Sequence, residues 1–277
     1  MEVKLIHSKV LKEVPSGSGV EHNDGVLFIC GDDAPYLFKT NLNGEILQKI
    51  KIWDWQEEGR IPKLLKPDFE AMAHINDEVF LFGSGSLNPR NVLVKVNSEN
   101  GSVEKYDLGK LYENLRYEAG LKMDDFNIEA AAVYKDKLLL LNRGDNSILS
   151  LSLSDFFLSI ETGKELTEVE IHKFHLPLVE GYVAGFSGAS VYRDKLVFSA
   201  SVEKTTDWIN DGEILGSFIG LIDLCNYELS ACVLVQNILA KIEGLCIIKE
   251  SGQVLELAAV ADNDDGMSTL IKLELKF

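Results

Sequence analysis

One grammar recurs along this chain: a polar anchor, a small residue, an apolar run, a polar turn and a second apolar run. It reads DFEAMAHINDEVFLF at 68–82, FNIEAAAVYKDKLLLL at 126–141, GFSGASVYRDKLVFSA at 185–200 and KIEGLCIIKESGQVLEL at 241–257. A looser copy, GSGVEHNDGVLFIC, stands at 17–30. The residues opening the first apolar runs are Ser18, Glu70, Glu129, Ser187 and Glu243, spaced 52, 59, 58 and 56 residues apart. Self-similarity at a period of tens of residues points to an architecture of repeated supersecondary units and decides the fold before any local assignment.

The copies are built of apolar runs of strand length, four in a complete one. In the second copy these are EAMAHI, EVFLFGSG, NVLVKVN and SVEKYDL, separated by turns rich in Asn, Asp and Gly that supply the left-handed positions of tight hairpins. Four strands joined by hairpins make one propeller blade. The blades run at about 17–53, 68–108, 126–176, 186–238 and 241–277. The last copy stops one strand short, and residues 3–14 alternate like a strand with no partner nearby. Pairing the two closes the ring and removes an open edge. The expectation is a single all-β domain over 1–277, a five-bladed β-propeller of four-stranded antiparallel blades; a six-bladed ring is the alternative. The spacing of Leu111, Leu115 and Ala119 predicts a short helix within 109–125, and SDFFLSIETGKEL (154–166) reads as a helix or long loop.

A formal charge of −17 argues against nucleic acid and against an anionic membrane surface as partners. The four cysteines lie in or beside apolar runs without CxxC spacing, so they read as buried thiols in a reduced protein. The N-terminal residues carry charges throughout, unlike a signal peptide, and no apolar stretch is long enough to span a membrane. The chain as given reads as soluble and cytoplasmic.

The first strand of each propeller blade lines the axis, so the five anchors converge at one mouth. Three of them are carboxylates, and no Lys or Arg stands at the anchor positions of the other two copies. Unpaired, three such charges repel strongly. Hard oxygen ligands of flexible number suit Ca²⁺, and the lack of His and Cys argues against zinc or copper. The expected metal ligands are therefore Ser18, Glu70, Glu129, Ser187 and Glu243, with a solvated, water-filled ring as the alternative. Ser16 is a rival to Ser18.

The order Ser–Glu–Glu–Ser–Glu, one residue per blade, resembles the central calcium site of the calcium-activated nucleotidase (apyrase) family. The words GFSG at 185–188 and KIEGLCII at 241–248 are similar to that family's fourth- and fifth-blade openings. The chain also resembles a wider group of bacterial phytase-like propeller proteins. The resemblance implies a calcium that locks the blades and shapes a nucleotide or phosphate-ester site, and hence a calcium-dependent phosphohydrolase. The chain departs from the family pattern in two places. The first-blade loop GDDAP has Asp32 and Asp33 but no Arg, and the paired third-blade arginines are reduced to Arg143. Arg90, Arg143 and Lys204 stand in loops of one class, able to hold phosphate oxygens or to serve as ordinary surface cations. Asp32 and, in the acidic loop ADNDDGMS, Asp262 and Asp264 are further candidates for substrate or metal contact, and Trp208 could cap a base or sugar. The competing reading is a non-catalytic propeller that binds a ligand or protein, with calcium purely structural.

Overall fold

The computed structural model describes residues 1–56, 59–166, 168–205, 212–263 and 265–277. Five four-stranded antiparallel sheets form a ring, so the chain is a five-bladed β-propeller. Blade one runs Gly17–Asn23, Val26–Gly31, Tyr36–Asn41 and Ile46–Lys51, and blade two Phe69–Ile75, Glu78–Gly83, Val92–Asn97 and Val103–Asp107. Blade three is Ile128–Tyr134, Lys137–Asn142, Ser147–Ser152 and Glu170–Lys173; blade four is Gly185–Tyr192, Lys195–Glu203, Ile214–Asp223 and Glu228–Leu234. Blade five has Lys241–Ser251, Val254–Asp262 and Ser268–Lys276, and the N-terminal strand Glu2–Leu11 completes it, antiparallel to Ser268–Lys276. The first strands of neighbouring blades touch in order, and the fifth touches the first.

The unbroken apolar second strands follow from this packing, because each blade is covered on both faces. The core divides into five clusters, one at each blade interface. Two helices fill the wedge between blades two and three. Gly109–Ala119 buries Leu111, Tyr112 and Leu115 and ends on the left-handed Gly120. Leu153–Thr162 starts on Ser152, whose hydroxyl accepts from the Asp155 N–H at 3.0 Å, and packs Phe156 against Phe80 and Phe82. No described helix is long and apolar enough to cross a membrane.

The repeat holds at the level of single residues. The first hairpin of blades one to four turns through a left-handed residue at the same place, Asp24, Asn76, Lys135 and Arg193. More telling, every first strand carries a β-bulge at its anchor. The register slips between Gly17 and Gly19, Phe69 and Ala71, Ile128 and Ala130, Phe186 and Gly188, and Ile242 and Gly244. The residue skipped in each case is Ser18, Glu70, Glu129, Ser187 or Glu243. A bulge releases one residue from the ladder and re-aims its side chain. Five copies of the same defect recur, one at the equivalent place in each inner strand.

Candidate functional site

Just past the bulges the inner strands close on one another. A Cβ on Gly244 would lie 2.8 Å from the Cα of Gly19, and one on Gly188 would lie 2.8 Å from the Leu245 nitrogen. Only glycine permits this approach, and it narrows the tube below the anchors to a void of about 10 Å³, roughly one water centre. Glu70, Glu129, Glu243 and Ser18 border that void. Above it opens a polar cavity of about 440 Å³, whose lining includes the same four residues. The site is thus a cup on one face of the ring.

The five anchors do not act alike. The Ser18 hydroxyl donates to the Phe69 carbonyl and the Ser187 hydroxyl to the Ile242 carbonyl at 2.6 Å. In both cases the acceptor immediately precedes the next blade's glutamate, so the two serines pin neighbouring inner strands together. Ser187 does not line the cup. The three glutamates do, and their charges act on one another: Glu129 raises the proton affinity of both Glu70 and Glu243.

No Lys or Arg stands at the anchor positions, yet cations reach the glutamates from elsewhere. Lys241 reaches Glu243 at 2.8 Å and Glu203 at 3.4 Å. Arg143 bonds Glu203 at 2.9 Å and the Ser201 hydroxyl at 2.8 Å, and lies 3.9 Å from Glu129. On the opposite side Lys66 bridges Asp32 and Asp68, the latter at 2.7 Å, and Arg90 pairs with Asp68 at 2.7 Å. Sequence reasoning missed Lys241 and Asp68 because it read a single residue per blade. Two positions before the anchors stand Ser16, Asp68, Asn127, Gly185 and Lys241, a second ring of which all but Gly185 line the cup. At Gly185 the place of a side chain is taken by Arg143, whose Cγ would lie 2.6 Å from a Cβ there. The connector between blades one and two adds Arg60, Lys63 and Lys66 at every third residue. Arg60 pairs with Asp33 at 2.5 Å.

Asp32, Arg90 and Asp262 line the cup. Arg90 is committed to Asp68 and to the Ser86 hydroxyl at 2.8 Å. Arg143, 4 % exposed, sits behind the glutamates and not on the cup wall. Lys204 lies outside the lining, near Glu180 and Glu213 at 3.7 and 3.8 Å. Trp208 and Asp264 fall outside the described residues.

Burial sets the proton affinities. It pushes Glu243 up to about 8 despite Lys241, and Asp32 up to about 7 despite Lys66, with Asp33 and Asp68 adding to the rise. Glu70 is raised well above the usual carboxylate range by burial and then by Asp68, Glu129 and Asp32. Burial alone would lower Lys66 and Lys241, but the surrounding carboxylates outweigh it and hold both ammonium groups charged. One oxygen of Glu243 is buried without a hydrogen-bond partner. The donor set fits a hard cation: oxygen-only ligands, an orphaned buried carboxylate oxygen, and carboxylates whose charge is poorly solvated.

No curated protein matches the sequence. The glutaminyl cyclase of Myxococcus xanthus has a similar structure, at a TM-score of 0.58 and 11 % identity over 98 % of this chain and 96 % of that one. The tail fibre of a Staphylococcus aureus phage is similar at a TM-score of 0.53 and 12 % identity, over the whole of this chain and 53 % of that one. Likeness at such identity shows the propeller fold alone, and it lends no support to a phytase-like or nucleotidase-like assignment. Residues 13–275 match the model of a family of unknown function, DUF6929, and the chain belongs to that family.

Proposed function

We propose that the cup holds one calcium ion at the three axial glutamates and binds a phosphorylated small molecule, whose phosphate ester it hydrolyses. The charge balance carries this reading. Asp32, Asp68, Glu70, Glu129, Glu203 and Glu243 form one connected cluster with Lys66, Arg90, Arg143 and Lys241. Fully ionised, six carboxylates face four cations, a deficit of two charges; burial answers it with protons on Glu70 and Glu243, and one divalent cation would cancel it in their place. Glu70, Glu129 and Glu243 would hold it. Bound there, calcium supplies charge that polarises a phosphoryl oxygen. Arg60 and Lys66, themselves paired with Asp33 and with Asp32 and Asp68, would meet the anionic oxygens from the connector side, and Asp32, raised to about 7 by burial, would accept a proton from attacking water. A second reading, binding without turnover, is favoured by the commitment of Arg90 and Arg143 to carboxylates, which leaves the arginine clamp of a phosphohydrolase unfilled.

Two measurements test these readings. Calcium should raise the melting temperature of the wild type and leave Glu129→Gln unmoved; a wild type indifferent to calcium and chelator removes the cation. Phosphate release from nucleoside diphosphates, phytate and p-nitrophenyl phosphate, with calcium and then with chelator, tests hydrolysis. No turnover on all three, with calcium binding intact, leaves the non-catalytic reading.

A further inference from the structure

We propose that Lys66 is a built-in cation: its ammonium holds a position that a divalent ion would otherwise take among Asp32, Asp68 and Glu70. The cup thereby runs on one exchangeable ion instead of two. The inference rests on the reading of the axial glutamates given above and shares Glu70 with it, while Asp32, Asp68 and Lys66 belong to the segments of blades one and two.

Three observations support it. Carboxylate oxygens of Asp32, Asp68 and Glu70 all lie within 4.8 Å of one another, the spread of a cation's ligand shell. Lys66 bonds both aspartates, so a compact positive charge already sits in that cluster. The third observation is independent of the acids. Ser16 lines the same cup and is 1 % exposed, and its buried hydroxyl has no hydrogen-bond partner. One oxygen of Asp32 is likewise buried and unpartnered. An ammonium has three donors and satisfies few oxygens, whereas a calcium ion takes roughly six to eight, so the spare oxygens are those a larger coordination shell would use.

The segments that carry these oxygens are tied by backbone bonds. Asp32 N–H donates to Ser16 O and Asp68 N–H to Asp32 O, both at 3.1 Å. Ser16 and Asp68 occupy the same place in their repeats, two residues before the anchor, and both have left-handed backbone, φ 45° and 57°. Lys66 comes from outside this frame, on a turn closed by Pro62, whose carbonyl accepts from Leu65 N–H at 2.8 Å and Lys66 N–H at 3.0 Å. The oxygens thus belong to the repeated scaffold, and the cation is delivered by an insertion between blades. In this arrangement the ammonium is a permanent charge for the ligand's anionic group, beside an exchangeable one at the axis.

The test is a calorimetric titration of calcium alone into the full chain, the Lys66→Met variant and the Lys66→Met/Asp68→Asn double variant. The expected counts are one, two and one ions. The wild-type count tests the axial ion, and the difference between the first two chains tests the role of Lys66. A wild type that binds none with a Lys66→Met that binds one therefore supports this inference while removing the axial ion. Equal counts in wild type and Lys66→Met overturn it. Should Lys66→Met fail to fold in chelator, millimolar calcium is expected to restore its circular dichroism and melting transition. No rescue by calcium overturns the inference as well.

Discussion

Arg143 offers the sharpest contrast between the phosphate clamp expected from its loop and the position it occupies. Its guanidinium is spread over Glu203, Ser201 and the neighbourhood of Glu129, and its stem fills the space above Gly185. Arg143→Met keeps most of that stem and deletes the charge. Glu129, Glu203 and Glu243 are then left with Lys241 as the cation nearest to hand. Breaking a buried ion pair by removing one partner costs about 3–5 kcal/mol. In a chain of this size each kcal/mol moves the melting temperature by roughly 2–4 °C, so the expected drop is about 6–20 °C. Urea unfolding in chelator gives the free energy directly. Adding Glu203→Gln removes the stranded carboxylate and should return part of the loss, so the double variant is more stable than the two single costs predict. A phosphate-clamp role predicts the opposite pattern: a chain as stable as the parent that no longer binds phosphate esters. Melting within about 2 °C of the parent would refute the structural assignment of Arg143.

Three smaller perturbations probe the frame around the cup. Ser187→Ala loses the hydroxyl bond to the Ile242 carbonyl and should cost about 1 kcal/mol in urea unfolding; a neutral result would mean the pin between blades four and five carries no load. Gly244→Ala places a methyl 2.8 Å from the Gly19 Cα and 2.9 Å from the Val20 nitrogen, where only backbone can yield, and should cost on the order of 1–3 kcal/mol, with wild-type stability refuting the close approach. Glu21, pushed by burial up to about 8 from 4.5, favours its protonated form in the native state. Its contribution is therefore full below pH 4.5 and lost as pH rises toward 8, by at most ~1.4 kcal/mol per pH unit. Glu21→Gln should flatten that slope in unfolding measured from pH 5 to 8, and unchanged slopes would show that Glu21 is not responsible.

The ring was legible because its signal is redundant. Five copies of one strand grammar tolerate local noise: the helical intrusion at Leu153–Thr162 and the long insertion after Glu203 delay the fourth and third strands of their blades without hiding the count. Even the closure by residues Glu2–Leu11 could be inferred from a missing strand at one end and a spare one at the other. The bulges could not. A bulge is one residue too many against a partner strand, and that mismatch exists only once two strands are paired. The position of each anchor was readable, but the reason its side chain leaves the pleat was not.

The electrostatics of the cup were misjudged for a related reason. Reading one residue per blade collects Glu70, Glu129 and Glu243 and omits Lys241, although alternation along a strand puts residues two apart, such as Lys241 and Glu243, on one face. Arg143 and Lys66 are further from such reading, since each arrives from a loop and meets a carboxylate tens of residues away, Glu203 and Asp32 respectively. Neutralising charges in a propeller mouth need no shared register with the charges they meet; they need only the same axis. A sequence pattern can thus locate the acids, while the net charge of the site, and with it whether one ion or two is required, emerges from contacts between segments tens of residues apart.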